Sequence, residues 1–334
     1  MIAALLRTKG HPLMLAALAF AIVVPWGGWF VRQLRRYGVG KHIRADGPSS
    51  HEEKEGTPTM GGVYILVGAG SFAIVLAVDG CLESLLVFLP MVVFGALGAF
   101  DDVRGLHDQE GVGWLARSKF PAQWALALLL ALFTYWVRPN MSVLLPASEH
   151  VLNLGIWLVP VYTLLVVATS NAVNLTDGLD GLAGGLSAIG FGAYGVLAME
   201  RGRYSLASFC FVLLGVLLAF LWFNVHPAAV FMGDTGSQAL GAGMAAVALF
   251  SDYVLLLPLV GFVFVVEALS VILQVVYYKY TRRKVGEGQR VLRMAPLHHH
   301  YELGGLSEVC IVSRMWIVGL VAALLAVGWG VTWR

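Results

Sequence analysis

Two adjacent aspartates, Asp101 and Asp102, close an apolar run. Like charges that close together are costly unless a cation neutralises them or one carboxyl takes up a proton. A solvated helix terminus is the bland alternative, but the pair follows directly on apolar sequence, where an uncompensated charge is expensive. A second stretch, Asn171-Ala-Val-Asn174-Leu-Thr-Asp177-Gly-Leu-Asp180-Gly-Leu-Ala183, sets Asp177 and Asp180 three residues apart, on one face if helical. Its glycines, Gly178 and Gly181, let backbone or ligand approach closely. Helix capping accounts for part of this pattern, yet capping alone does not require two Asn and two Asp within ten residues. Asp234, in Phe231-Met-Gly-Asp234-Thr-Gly-Ser237, reads either as an N-cap or as a metal ligand beside a backbone turn that cradles phosphate. Oxygen-only donors of this kind suit Mg²⁺ or Mn²⁺ better than zinc. No Gly-x-x-x-x-Gly-Lys-Ser/Thr occurs, which excludes a P-loop nucleotidase.

Further along stands a histidine triplet, Pro296-Leu-His298-His299-His300-Tyr-Glu302. It lacks the partner pattern of a zinc site, and hydrogen bonding to a phosphate or sugar is as good a reading as metal ligation. On an extended backbone His298 and His300 would face one way and His299 the other. Lys54-Glu-Gly-Thr57-Pro-Thr59 offers a cation and two hydroxyls ahead of a glycine pair, able to hold an anionic group. Glu267 lies inside an apolar run, where a carboxylate is either functional or paired with a neighbouring helix.

These residues need a scaffold, and composition says which. The chain has 334 residues, 58% hydrophobic and only 13% charged, with a mean hydropathy of +0.78. Soluble proteins carry roughly twice that charged fraction. Long apolar runs, each of about 20 residues, cross the hydrocarbon core as helices, and the 39 glycines suit close helix contacts in lipid. The expected fold is therefore an all-α polytopic integral membrane protein in a single domain over residues 1–334. About ten spans can be drawn, near 12–33, 61–80, 85–100, 119–137, 155–172, 182–199, 204–223, 236–250, 253–280 and 310–333. The first run lacks a small-residue cleavage site and leads into a basic loop, so it reads as a span and not as a signal peptide.

Lys and Arg set the orientation. Arg32, Arg35, Arg36, Lys41, Arg44 and Lys54 follow span one; Arg104, Arg117 and Lys119 follow span three; Lys279, Arg282, Arg283, Lys284, Arg290 and Arg293 follow span nine. All belong to one face, which should be cytoplasmic, with both termini outside. The acidic clusters and the histidine triplet fall on that same face. Net charge is +2, so nothing points to a nucleic-acid partner. Cys81, Cys210 and Cys310 are isolated in apolar sequence and read as small buried hydrophobes.

Taken together and in this order, the motifs from Gly47 to Ser307 resemble the polyprenyl-phosphate N-acetylhexosamine-1-phosphate transferase superfamily. Met294-Ala-Pro-Leu-His-His-His-Tyr-Glu302 looks like its phospho-N-acetylmuramoyl-pentapeptide transferase branch. The resemblance implies a ten-helix fold, often a homodimer, in the bacterial inner membrane. It implies Mg²⁺-dependent transfer of phospho-MurNAc-pentapeptide from its UDP-linked form to undecaprenyl phosphate, giving lipid I and UMP. By the same resemblance Asp234 binds Mg²⁺, and Asp101, Asp102 and His298 are required for activity. Lys54, Thr59, Lys119, Asn174, Asp177, Asp180, Asn224, Phe231, Gln274, His299 and His300 would form the nucleotide, sugar or phosphate environment. Two departures stand out. The Lys usual three residues after the aspartate pair is Gly105 here, beside Arg104, and the stretch from Gln274 to His298 carries extra residues.

Attack of a lipid phosphate on a UDP-sugar brings two anions together, so charge neutralisation should supply most of the catalysis. A phosphate monoester is already largely dianionic at neutral pH, which makes a general base a minor requirement. Direct in-line attack is the expected route, with a covalent aspartyl phosphate as the other. A sister UDP-HexNAc transferase is the alternative within the class, and a membrane transporter the alternative outside it. A transporter would place acids near the bilayer midplane and show related halves; only Glu267 lies at depth, and no repeat is evident.

Overall fold

The computed structural model describes residues 11–38, 40, 56–107, 113–145 and 150–332. It is all-α apart from one short hairpin: α1 (His11–Arg36), α2 (Gly62–Val78), α3 (Glu83–His107), α4 (Ala116–Val137), α5 (Leu158–Thr176), α6 (Leu182–Glu200), α7 (Tyr204–Asn224), α8 (Gly233–Phe250), α9 (Leu257–Val260), α10 (Phe262–Val285), α11 (Leu297–Glu302) and α12 (Glu308–Thr332). Strands β1 (Ser142–Leu144) and β2 (Val151–Asn153) pair antiparallel between α4 and α5. Eight of the described helices are long and apolar enough to cross a membrane, and α2 is a shorter apolar helix. The outer helices turn large apolar side chains outward, among them Met14, Ile22, Leu129, Ile272, Leu320 and Leu324. Such surface has no place in water and fits lipid. The chain is an all-α polytopic membrane protein.

Helix α8 is different. Every residue from Thr235 to Phe250 is buried, so α8 touches protein on all sides and has no need of the apolarity of a lipid-facing helix. Small residues let its neighbours close on it. A Cβ on Gly62 would overlap the backbone of Gly236, and one on Gly98 would overlap the Asp234 carbonyl. Close backbone approach of this kind is how membrane helices gain packing without a hydrophobic driving force. Here it seats α2 and α3 against the first turn of α8, where Asp234 lies.

The ninth expected span, 253–280, is not one helix. A 3-10 turn (Val254–Leu256) and the short α9 precede α10, and the chain leaves helical geometry at Gly261. Pro258, in the first turn of α9, cannot donate a backbone hydrogen bond to a preceding turn. Helix α10 then runs past the expected end to Val285, with Arg282, Arg283 and Lys284 in its last turn, where cations favour the helix dipole. Gly286 closes it in the left-handed conformation.

Candidate active site

The aspartate pair sits near the end of α3, and its two members face different partners. Asp102 Oδ1 accepts the Asp234 N–H at 2.9 Å, while Oδ2 accepts the Thr235 N–H at 2.9 Å and the Thr235 hydroxyl at 2.6 Å. The first N–H groups of a helix lack intrahelical acceptors, and a carboxylate there is favoured by the helix dipole. Asp102 therefore caps α8 from a neighbouring helix. Asp101 Oδ1 accepts the Trp114 N–H at 2.5 Å, and Oδ2 accepts from Lys119 Nζ at 2.6 Å.

The same Lys119 ammonium, at the start of α4, reaches Asp234 Oδ2. Asn174 on α5 donates to Asp234 Oδ1 at 2.9 Å and to Ser237 Oγ at 2.9 Å. Burial raises the Asp234 carboxyl, but the Lys119 charge, with hydrogen bonds from Lys119 and Asn174, outweighs it and holds the group well below the usual carboxylate range. Beneath the acids runs a line of amides: Asn171 donates to Gln123 at 2.9 Å, Gln123 to Gln238 at 3.2 Å, and Gln238 to Asp234 at 3.2 Å. Gln123 and Gln238 are buried, so each amide bond avoids the cost of an unpaired polar group in an apolar setting.

Thr59 and Phe231 come to this cluster through backbone pairing. Phe231 donates its N–H to the Pro58 carbonyl at 2.7 Å and accepts the Gly61 N–H at 2.8 Å. Gly233, at φ +72°, then lies against Thr59 and Asp102: a Cβ there would stand 2.9 Å from Thr59 Oγ1 and 2.6 Å from Asp102 Oδ2. Lys54 lies outside the described residues. Arg104 is exposed on α3, and the cation that reaches the acids is Lys119.

The other expected residues surround the turn between α5 and α6. Asp177 and Asp180 do not share a helical face, because α5 ends at Thr176 and α6 starts at Leu182. Asp180 is buried; its carboxylate accepts from His226 Nδ1 at 3.0 Å and the Ala228 N–H at 3.1 Å, and its own N–H donates to Glu308 at 2.6 Å. Asn224 ties the Gly181 N–H to the Val230 carbonyl. Gln274 is bonded to the backbone of Val291 and Leu292. The histidine triplet is helical, not extended, because α11 begins directly after Pro296. His298 is buried, His299 contacts Glu302 at 3.0 Å, and His300 accepts the Arg293 N–H at 3.1 Å.

Among the described residues, two groups can hold a cation. The Asp101 and Asp234 carboxylates offer hard oxygen donors, and the Lys119 ammonium between them shows that a positive charge is favoured there. The donor set fits Mg²⁺. Asp180, His226 and Glu308 bring three further donor atoms within 4.8 Å of one another. Thr235, Gln123, Gln238, His226 and Glu308 were not singled out from sequence as site residues. For the glutamines a signal existed, since each is a polar side chain within an apolar helix.

The family model described as glycosyl transferase family 4 matches residues 84–252, and the phospho-N-acetylmuramoyl-pentapeptide-transferase signature 1 matches residues 54–66. A phospho-N-acetylmuramoyl-pentapeptide-transferase of Chloroflexus aurantiacus is 44% identical over 97% of this chain and 91% of its own length. Those of Geobacillus kaustophilus and Desulforapulum autotrophicum are 45% and 42% identical, over 93% and 92% of this chain and 95% and 89% of theirs. The signature begins on the Lys54 stretch, and the family model spans all three carboxylates of the cluster. This chain belongs to the phospho-N-acetylmuramoyl-pentapeptide-transferase family, within glycosyl transferase family 4.

Proposed function

We propose that this chain transfers phospho-MurNAc-pentapeptide from UDP-MurNAc-pentapeptide to undecaprenyl phosphate, forming lipid I and releasing UMP. The observation that carries the reading is the convergence of Asp101 and Asp234 on Lys119, with Asp102 bonded to the Asp234 backbone, at the ends of apolar helices. Such a site suits a reaction whose main obstacle is anion–anion repulsion. An oxygen of the lipid phosphate attacks the phosphorus that bears the sugar; a new P–O–P bond forms and the bridging bond to UMP breaks.

Each residue has a part in this. Asp234, and Asp101 beside it, would hold Mg²⁺, which supplies charge neutralisation at the diphosphate. Lys119 shares its charge between the two carboxylates and can turn toward a phosphate oxygen when substrate enters. Asp102, with both oxygens occupied by α8, orients Asp234 and is poorly placed as a nucleophile. That argues against a covalent aspartyl phosphate on Asp102. Lys54, Thr59, Asn174, Asp177, Asp180, Asn224, Phe231, Gln274, His298, His299 and His300 would surround the nucleotide and sugar.

The same reading has one catalytic domain of ten spans in the bacterial inner membrane, termini outside, with the site on the cytoplasmic face that the basic loops indicate. A homodimer belongs to it through the family resemblance. The test is UMP release by purified protein given undecaprenyl phosphate and, in turn, UDP-MurNAc-pentapeptide and a UDP-HexNAc, with and without Mg²⁺. Release from the first donor alone, and only with Mg²⁺, is expected. Preference for the UDP-HexNAc would move the chain to the sister activity.

A further inference from the structure

Glu267 is fully buried in α10, in the membrane part of the fold, and the chemistry above gives it no task. A charged group there persists only with partners. Its partner is His298. Both carboxylate oxygens accept the His298 N–H, at 3.1 and 3.4 Å, and Oε2 stands 3.3 Å from the ring Nδ1. The opposite ring nitrogen, Nε2, is turned to the α5–α6 turn at Gly178, where a Cβ would overlap it. The His299 ring packs against the imidazole at a centroid separation of 4.2 Å.

The backbone of His298 is thus bonded, but its ring is not: both nitrogens are buried and neither makes a hydrogen bond of acceptable geometry. Buried polar atoms left this way are rare in folded proteins and call for a reason. Gly178 follows α5 by two residues, and Asn174, one turn before, bonds Asp234. The Nε2 edge of the imidazole is therefore packed against the turn that leads into the acid cluster.

We propose that Glu267 is a positioning residue for His298: it anchors the backbone, takes the Nδ1 proton side, and leaves Nε2 as the free acceptor toward the substrate-binding turn. A carboxylate behind an imidazole fixes the tautomer and the ring orientation in this way. The kinetic part of the proposal rests on the transferase reading given above; the tautomer part does not.

Two measurements test it. Nitrogen-15 spectra of histidine-labelled protein, with His298 assigned by difference against His298→Gln, should show a neutral ring protonated at Nδ1, and that preference should vanish in Glu267→Ala. A ring protonated at Nε2, or at both nitrogens, overturns the proposal whatever the enzyme's substrate. In UMP release, Glu267→Ala should lower kcat about 10²-fold, with KM for the UDP-sugar changed less than about threefold. Glu267→Gln, which keeps an acceptor for the His298 N–H, should recover most of the loss. In the His298→Ala background, Glu267→Ala should add nothing further, as expected when one residue acts through the other. Losses that multiply in the double variant overturn the positioning role. Absence of UMP release from the unmodified protein with either donor would instead strike the transferase reading, leaving the tautomer measurement to decide the Glu267 contact.

Discussion

The two ends of helices α3, α4 and α8 carry similar residues in opposite balance. At one end Asp101 and Asp234 share the ammonium of Lys119, the one cation that reaches them among the described residues, while Asp102 beside them accepts from the Asp234 backbone. At the other, Glu83 and Asp252 meet three arginines: Arg138 bonds Glu83 at 2.5 Å, Arg203 bonds Asp252 at 2.6 Å and approaches Glu83 at 3.6 Å, and Arg201 stands 3.8 Å from Asp252. Asp252 also accepts from Ser142, and Arg203 donates to the Phe250 carbonyl, so the second network is stitched to backbone and hairpin. The first end is short of positive charge and the second is not. A network whose acids are all matched by arginines has no carboxylate left for a cation, whereas an acidic excess held by packing is poised for a cation and for the anions that come with it.

The sharpest break of this contrast is Asp234→Asn. It removes one of the two acids held by Lys119 and the proposed Mg²⁺ ligand, so Mg²⁺-dependent UMP release should fall about 10³-fold. The thermal midpoint should stay within a few degrees of the parent. A variant with full activity would overturn the metal assignment. Next comes Lys119→Met, which leaves Asp101 and Asp234 facing each other without a cation. Activity should fall about 10²-fold. The variant's midpoint without Mg²⁺ should drop, and added Mg²⁺ should raise it by more than it raises the parent's; equal shifts in both proteins would place the ion elsewhere.

Asp252→Asn tests the opposite end. Asp252 is buried while Arg201 and Arg203 are about one third exposed, so neutralising it loses charge-assisted hydrogen bonds at a cost of about 2 kcal/mol. Unfolding measured in detergent should show that loss, while kcat stays within about threefold of the parent because the change lies a full helix length, roughly 27 Å along α8, from Asp234. Loss of activity without loss of stability would mean the balanced end is not merely structural.

Much of the acid end was legible beforehand. Asn174 and Asp234 stand out because their loops carry no Lys or Arg, and Asp101 and Asp102 because two like charges close an apolar run. What spacing could not supply was pairing. That Lys119 bridges two aspartates from different helices, and that Asp102 caps α8, depends on how closely Gly62 and Gly98 let helices approach. The spacing of Asp177 and Asp180 puts them on one face only if they are helical, and the chain instead turns there, between the end of α5 at Thr176 and the start of α6 at Leu182. Span nine reads as continuous because hydropathy does not register the break at Gly261. Gln274 carries no mark in sequence of its bonds to a distant backbone segment. The balanced end was the least legible, since Glu83, Arg138, Arg203 and Asp252 are scattered over more than half of the chain and none belongs to a motif.

The smallest expected effect is the most discriminating about that end. Arg138 bonds Glu83 and lies 5.8 Å from the Phe250 ring, but its side chain is 43% exposed. Exposed ion pairs are worth little, because solvent screens the attraction and ordering a long side chain costs entropy. Arg203 also remains within reach of Glu83. Arg138→Ala should therefore lower stability by no more than about 1 kcal/mol, with UMP release unchanged. If it matched Asp252→Asn instead, the arginines would be acting as one cooperative network, and burial would not be what separates a strong pair from a weak one at this end of the bundle.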